Sequence, residues 1–222
     1  MNAWLIRAGR GAAYLEDFIT KNFVALGWSE LGNLSECRSK AEIMAIAEKE
    51  MPGYRLGQIR SAVSQTARFL YEVKPGDRVA TYDTASRTFH LGTIQGEATF
   101  VQDPDYDFTY QRSVKWDAAT VSRDQLSVSA KNTLGSILTL FQLKSEVLAE
   151  MESGGSATLK EPETVQVQND DAEDDLHILG EDIESRAHEF IKDRIEKLGW
   201  EEMQELAAGI LRALGYRTQV SP

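Results

Sequence analysis

The chain has 222 residues, 42% of them hydrophobic, and a formal net charge of −11. That length holds one domain of ordinary size with material to spare. The apolar share permits a real core, and no run of 18 apolar residues provides a membrane-spanning helix. The acidity is unevenly spread. Residues 1–150 hold 17 basic and 18 acidic side chains, residues 151–184 hold 1 and 11, and residues 185–222 hold 6 and 6. A strongly acidic chain argues against a nucleic-acid partner, but a near-neutral first segment leaves room for a local basic face. Cys37 is the single cysteine, so no intrachain disulfide forms and a reducing cytoplasm is the expected setting. Met1-Asn2-Ala3-Trp4 lacks the basic-then-apolar pattern of a signal peptide. His90, His177 and His188 lie too far apart for zinc-ligand spacing.

In chain order, Ala3 to Ala8 reads as a strand, Gly9-Arg10-Gly11 as a loop and Ala12 to Asn22 as a short helix. Phe23 to Trp28 reads as a second strand, followed by a polar loop with Gly32 and Asn33. Ser39 with Glu42 three residues on is a capping box that opens a helix running to about Glu50. Leu56, Ile59, Val63, Ala67, Leu70 and Val73 recur at helical spacing and predict one longer helix. Pro75-Gly76-Asp77 is a turn. It launches two β-branched and aromatic runs, 78–82 and 88–94, joined across the polar break Asp83 to Arg87 as a hairpin. Tyr110, Arg112, Val114 and Trp116 share one face of a third strand by simple alternation. Positions 134, 137, 138, 141, 148 and 151 predict a helix over 134–151. Residues 151–184, with Gly154-Gly155 and the run Asp170 to Asp175, read as an acidic flexible linker. Two amphipathic helices follow from about Ile183, the second ending at Gly215, and Tyr216 to Val220 reads as the start of a strand.

The succession Pro-Gly-Asp, strand, hairpin, strand carrying Gly92-Thr93-Ile94, then Arg112-Ser113-Val114-Lys115-Trp116 resembles the core of a small PUA-like barrel of the EVE and YTH branch. It is closer still to the domain that precedes the catalytic domain of Mrr-type restriction endonucleases. Arg123-Asp124-Gln125-Leu126-Ser127 matches a segment of that domain, and the likeness covers about residues 3–145. The second likeness lies in Leu198-Gly199-Trp200, Met203-Gln204-Glu205-Leu206 and Leu214-Gly215-Tyr216. It resembles the first helix and strand of the Mrr catalytic domain, a PD-(D/E)xK nuclease fold, over about 185–222. The fold class implied is α+β: a PUA/EVE-like β-barrel with flanking helices over 1–150, the acidic linker, and a truncated nuclease remnant.

These resemblances imply the DNA-recognition part of a modification-dependent restriction endonuclease, which takes a flipped modified base into a barrel pocket. Stacking on a flat ring contributes roughly 1–3 kcal/mol per base, and flipping costs a few kcal/mol. Strand ends supply the candidate pocket residues Trp28, Ser29, Tyr82, Asp83 and Arg7. Arg10, Arg60 and Arg68 are the candidate phosphate contacts, Arg60 and Arg68 sharing one face of the long helix. Each has a plainer reading: Tyr82 as a barrel rim, the arginines as solvated surface, Trp28 as core. Trp4, Trp116 and His90 read as structural, and the carboxylates of Asp103 to Asp107 as turn chemistry. A complete relative hydrolyses DNA with Mg²⁺, but the metal-binding Asp and the (Glu/Gln)-x-Lys pair are absent here, so this chain alone is expected to be inactive and without a cofactor. The expected partner is double-stranded DNA with a modified cytosine, with a homodimer possible through the carboxy-terminal region. Two alternatives stand beside this reading: a stand-alone EVE/YTH-like reader of modified DNA or RNA without a nuclease role, and a nucleotide-binding interaction protein.

Overall fold

The structure is a computed structural model that describes residues 1–103, 105–136, 138–155, 187–188 and 190–219. The architecture is α+β: one curled, half-barrel sheet with helices on both faces. The strands are β1 (Ala3–Ile6), β2 (Phe23–Leu26), β3 (Arg78–Asp83), β4 (Thr88–Ile94), β5 (Thr99–Phe100), β6 (Tyr110–Ser122) and β7 (Leu140–Gln142). Their order is β2-β6-β4-β3-β1-β7, with β5 alongside β6. β1 runs parallel to β3, with Trp4 level with Val79, and every other pairing is antiparallel. The helices are α1 (Leu15–Thr20), α2 (Lys40–Glu50), α3 (Leu56–Ala67), α4 (Val128–Leu134), α5 (Ser145–Glu152), α6 (190–195) and α7 (Trp200–Ala213).

Alternation along the strands divides the core in two. Trp4, Ile6, Val79, Ile94, Tyr110 and Val114 face one cluster, closed by Phe18 of α1, Ile43 of α2 and Val63 of α3. Leu5, Ala80, Tyr82, Phe89, Leu91 and Val121 face the other, closed by Ala130 and Leu134 of α4 and Val147 and Met151 of α5. Gly92 lies on the first face, where an added Cβ would stand 2.7 Å from Val114 Cγ1 and 2.8 Å from Trp116 Cε3. The Gly-x-Ile pattern is therefore the imprint of a tryptophan packed flat across its neighbouring strand.

Two polar anchors explain the other motifs. Asp77 is buried and accepts from the backbone N–H of Asn2 at 2.7 Å, the Trp4 indole at 3.0 Å and the Lys74 N–H at 3.1 Å. The Pro-Gly-Asp turn thus supplies the carboxylate that ties β1 to β3. Arg112 is wholly buried. It donates to the carbonyls of Phe69 (3.0 Å), Leu70 (3.2 Å) and Gly96 (2.9 Å) and pairs with Glu97 at 3.3 Å. Burial pulls its pKa below the ordinary arginine value, and Glu97 partly restores it. Here the expected single helix 56–73 is interrupted. After Ala67 the chain widens into a π-type turn, Arg68–Glu72, closed by Val73 N–H to the Arg68 carbonyl at 3.0 Å. The Arg112 guanidinium holds the carbonyls of that turn, so the widening has an identifiable cause.

The expected helix over 134–151 is corrected to strand and helix. Leu138 to Leu143 carries apolar residues on both sides of a strand, with Leu140 in the first core cluster and Phe141 and Leu143 in the second. That stretch covers the open edge of β1, Leu5 lying opposite Phe141. Gln65 of α3 secures it by accepting the Leu140 N–H at 2.8 Å. The helical spacing of 134, 138 and 141 arises because Leu134 at the end of α4, Leu138 in the connection and Phe141 in β7 all pack on the second cluster. The capping box at Ser39 forms as expected: Ser39 Oγ accepts the Glu42 N–H at 3.3 Å, and Glu42 accepts the Arg38 N–H at 2.8 Å. The expected linker begins at residue 151, but Met151 and Glu152 complete α5 with Met151 buried in the second cluster, and residues 156–184 of the expected linker lie outside the described residues. Tyr216 to Gln219 pair with no strand, and Val220 lies outside the described residues.

Candidate functional site

The carboxy-terminal ends of β1 and β3 lie side by side, and the β3–β4 hairpin turn stands beside them. Over this end runs the loop Gly9 to Tyr14. Gly9, Gly11 and Ala12 all have left-handed backbone, with φ of 76°, 63° and 64°. Gly9 has a second constraint, since a Cβ there would stand 2.7 Å from Cδ2 of Tyr14. A left-handed alanine costs roughly 1–2 kcal/mol, so the surrounding contacts hold this loop in place. On one side Thr84 of the hairpin turn donates to the Gly11 carbonyl at 3.3 Å. On the other, Tyr14 donates its hydroxyl to Asp107 at 3.0 Å. The Tyr14 ring meets Tyr106 and Phe108 edge-on, at 5.7 and 5.5 Å between centroids. Gly27 abuts the Asp107 carbonyl, 3.9 Å from where its Cβ would be. The end of β2 therefore reaches the same loop cluster.

Beneath that rim, on the first face of the sheet, lie Thr81, Asp83 and His90; Thr81 stands opposite His90. Thr81 is 0% exposed, and its hydroxyl has no hydrogen-bond partner. A buried hydroxyl without a partner costs on the order of 1–3 kcal/mol, and such groups call for an explanation. His90 is half-buried. Burial lowers its pKa, only partly opposed by Asp83, so near neutral pH the ring offers one donor and one acceptor. The Asp83 carboxylate accepts from the Ser86 hydroxyl at 2.7 Å and the Ala85 N–H at 2.8 Å. The Ser86 bond first, with the backbone bonds and His90, holds it below the usual carboxylate range against its burial. Next to His90 the ladder is irregular: Asp117, Ala118 and Ala119 of β6 stand opposite the single Leu91. Bulges of this kind open a sheet locally and re-aim side chains.

The sequence-derived candidates divide over this geometry. Asp83 lies at the mouth and Arg10 is exposed on the loop above it. Trp28 is half-buried, packed on the first core cluster, and holds a left-handed backbone with φ 66°. Ser29 is exposed beside it. Tyr82 points the other way: it is buried in the second cluster, 4.6 Å from Phe89 between ring centroids. Its ring and that of Trp28 therefore belong to opposite faces of the sheet and do not share a pocket. Arg7 also turns to the far side, where its guanidinium donates to the carbonyl of Ser136 at 3.1 Å and caps the end of α4. Arg60 is exposed on α3, and Arg68 is half-buried as the first residue of the π-type turn. Arg112 links that turn to Gly96, beyond the end of β4 opposite the mouth. Thr81 and His90 were not expected as site residues. The available signal was alternation, which places 81, 83 and 90 on one face once the hairpin register is fixed.

Among the described residues no three His, Cys, Asp or Glu side chains converge on a metal site, and no helix is long and apolar enough to cross a membrane. An α+β half-barrel with flanking helices and a glycine-bearing loop across one end is thus the class of domain that the geometry defines. The family model for a domain of unknown function, DUF8426, matches residues 4–144, well over half of the chain, and the chain belongs to that family. No curated protein matches it.

Proposed function

We propose that the mouth formed by the Gly9–Tyr14 loop, Thr81 and His90 receives a single nucleobase flipped out of duplex DNA. In this reading the chain is the modified-base-reading part of a modification-dependent restriction system. The observation that carries the proposal is the buried, partnerless Thr81 hydroxyl opposite a neutral His90 beneath a strained loop. A base presents donors and acceptors along one edge and flat faces on either side. The partly exposed imidazole suits the edge, with the Thr81 hydroxyl buried beside it, and the half-buried Trp28 near the rim suits a face. The exposed Arg10 suits a neighbouring phosphate, a contact that positions without reading sequence. The resemblance of residues 3–145 to the domain preceding Mrr catalytic domains supports the same reading. The Mg²⁺ of a complete nuclease has no holder among the described residues, and no hydrolytic step is assigned to them.

The test is fluorescence anisotropy with duplexes that differ only in one modified or unmodified cytosine. Wild-type protein is expected to prefer the modified duplex. Thr81→Val, which keeps shape and removes the hydroxyl, is expected to lower that preference about 5- to 10-fold, the equivalent of roughly one hydrogen bond. Equal binding of unmodified duplex and of every cytosine- and adenine-modified duplex tried would refute the reading.

A further inference from the structure

The hairpin turn at the mouth carries a second feature on its other side. Arg87 holds φ 56° there, and its carbonyl accepts the Arg123 N–H at 2.9 Å, which fixes the two arginines side by side. Both side chains are largely buried, 12% and 4% exposed. One carboxylate spans them: Asp193 lies 2.6 Å from Arg87 Nη2 through one oxygen and 3.3 Å from Arg123 Nη2 through the other. Glu196 reaches Arg87 Nε at 2.8 Å, and Asp124 reaches Arg87 Nη2 at 2.8 Å. Lys131 adds a third cation, its ammonium donating to the Asp124 carbonyl at 3.2 Å.

Two aspects distinguish this contact from ordinary packing. The carboxy-terminal segment approaches through its acids while two of its large apolar residues stay out: Phe190 is 55% exposed and Ile191 53%. Asp193 and Glu196 supply two of the three carboxylates described against these arginines, Asp124 being the third. Two guanidiniums that share the two oxygens of one carboxylate also match the two free oxygens of a phosphodiester.

We propose that Arg87 and Arg123 form a clamp for a backbone phosphate of nucleic acid bound at the mouth, and that Asp193 with Glu196 occupies the clamp in the free protein. The choice of nucleic-acid phosphate as the ligand rests on the function proposed above. The clamp shares the Thr84–Arg87 turn with the rim, so a strand whose base enters the mouth passes within reach of it. Binding then exchanges one anion for another. The carboxy-terminal segment is released when the duplex arrives, and weak duplexes are screened out because they must displace it.

The experiment uses the full chain and an unmodified duplex titrated at several salt concentrations. Asp193→Asn with Glu196→Gln is expected to tighten binding about 5- to 50-fold. It should also steepen the dependence of log K on log salt by about one, the signature of one more phosphate contact. Arg87→Gln, added to that double variant, is expected to abolish both changes; it is preferred to a change at the more deeply buried Arg123, and a thermal melt accompanies each protein. Unchanged affinity and salt slope in the folded double variant would overturn the clamp, as would a gain that survives Arg87→Gln. The readout is absolute affinity for unmodified duplex, whereas the proposed function is read from the ratio of modified to unmodified binding. Failure of either is therefore visible without the other.

Discussion

The indole N–H of Trp4 donates to the Asp77 carboxylate at 3.0 Å, across 73 residues of sequence. Through this bond a turn motif and an amino-terminal strand become one structure, because the same carboxylate also receives the Asn2 and Lys74 amides. Trp4→Phe keeps an aromatic ring but removes the donor and part of the buried volume, and should lower stability by about 2–3 kcal/mol. Asp77→Ala leaves the buried indole and two part-buried amides without their acceptor, and should cost about 3 kcal/mol or more. Urea denaturation measures both variants. A cost below about 1 kcal/mol for Asp77→Ala would show that the carboxylate does not hold the turn to β1.

Gly92 gives a second test of packing. Gly92→Ala brings a methyl group against Val114, Trp116 and the Lys115 carbonyl, and overpacking of that kind costs typically 1–3 kcal/mol. Gly27→Ala meets nothing closer than 3.9 Å and should be tolerated in comparison. A thermal melt in which the two variants unfold together would contradict the placement of Trp116 across β4.

Arg112 offers a third. Arg112→Met fills much of the same space and leaves the carbonyls of Phe69, Leu70 and Gly96 without their donor. The π-type turn should then relax, with a loss of roughly 3 kcal/mol. Arg112→Lys should recover little, since one ammonium cannot span the carbonyls of two separate segments. Hydrogen exchange at Val73, whose amide closes the turn, is the local readout.

The fourth concerns pH. His90 has a folded-state pKa below its ordinary value of 6.5, because burial disfavours the charged ring. Below about 6.5 the unfolded chain binds a proton that the folded chain refuses, so stability rises with pH through this window. The contribution is complete above the ordinary value and is lost as pH falls below it. Asp83, whose pKa is lowered, loses its contribution in the separate acidic window of carboxylates. His90→Gln should flatten the stability profile between about pH 5 and 7 and leave the more acidic limb in place. A profile unchanged by the substitution would mean that His90 is as solvated in the folded chain as in the unfolded one.

The fifth concerns binding. Trp28→Ala should remove most of the preference for modified duplex, because a stacked ring acts on the flipped base alone; the loss corresponds to roughly 1–3 kcal/mol. Arg10→Ala should weaken modified and unmodified duplexes about equally. A folded Trp28→Ala protein that keeps the original ratio would remove Trp28 from the site.

The elements governed by local rules were legible in the sequence. The Ser39 cap, the Pro-Gly-Asp turn, the 83–87 break and the alternation from Tyr110 to Trp116 are each decided within a few residues. What escaped was decided at a distance. The strand at Leu140–Gln142 exists because β1 has an edge to cover, and the π-type turn exists because Arg112 arrives from another strand. The candidate pocket met the same limit. Strand ends drew attention to Asp83, which stands at the end of β3 beside the hairpin turn, but the choice of Tyr82 and Arg7 ignored which face each side chain takes. Thr81 and His90 carry no motif, and become visible only when register and burial are known together.

The place of β1 between β3 and β7 also fixes an order of events during synthesis. Its hydrogen-bonding partners are 75 and more residues away on one side and more than 130 on the other. During synthesis β1 therefore waits for one sheet neighbour until about residue 83 has been made, and for the other until past residue 140. Pairings this distant in sequence are intrinsically slow to form, and an unpaired apolar strand is exposed to association with other chains in the meantime. Nascent chains stalled before residue 140 are expected to remain protease-sensitive over Trp4 to Ile6, and chains that extend past α5 to protect it. β1 is completed as a strand only when the last strand of the sheet has been made.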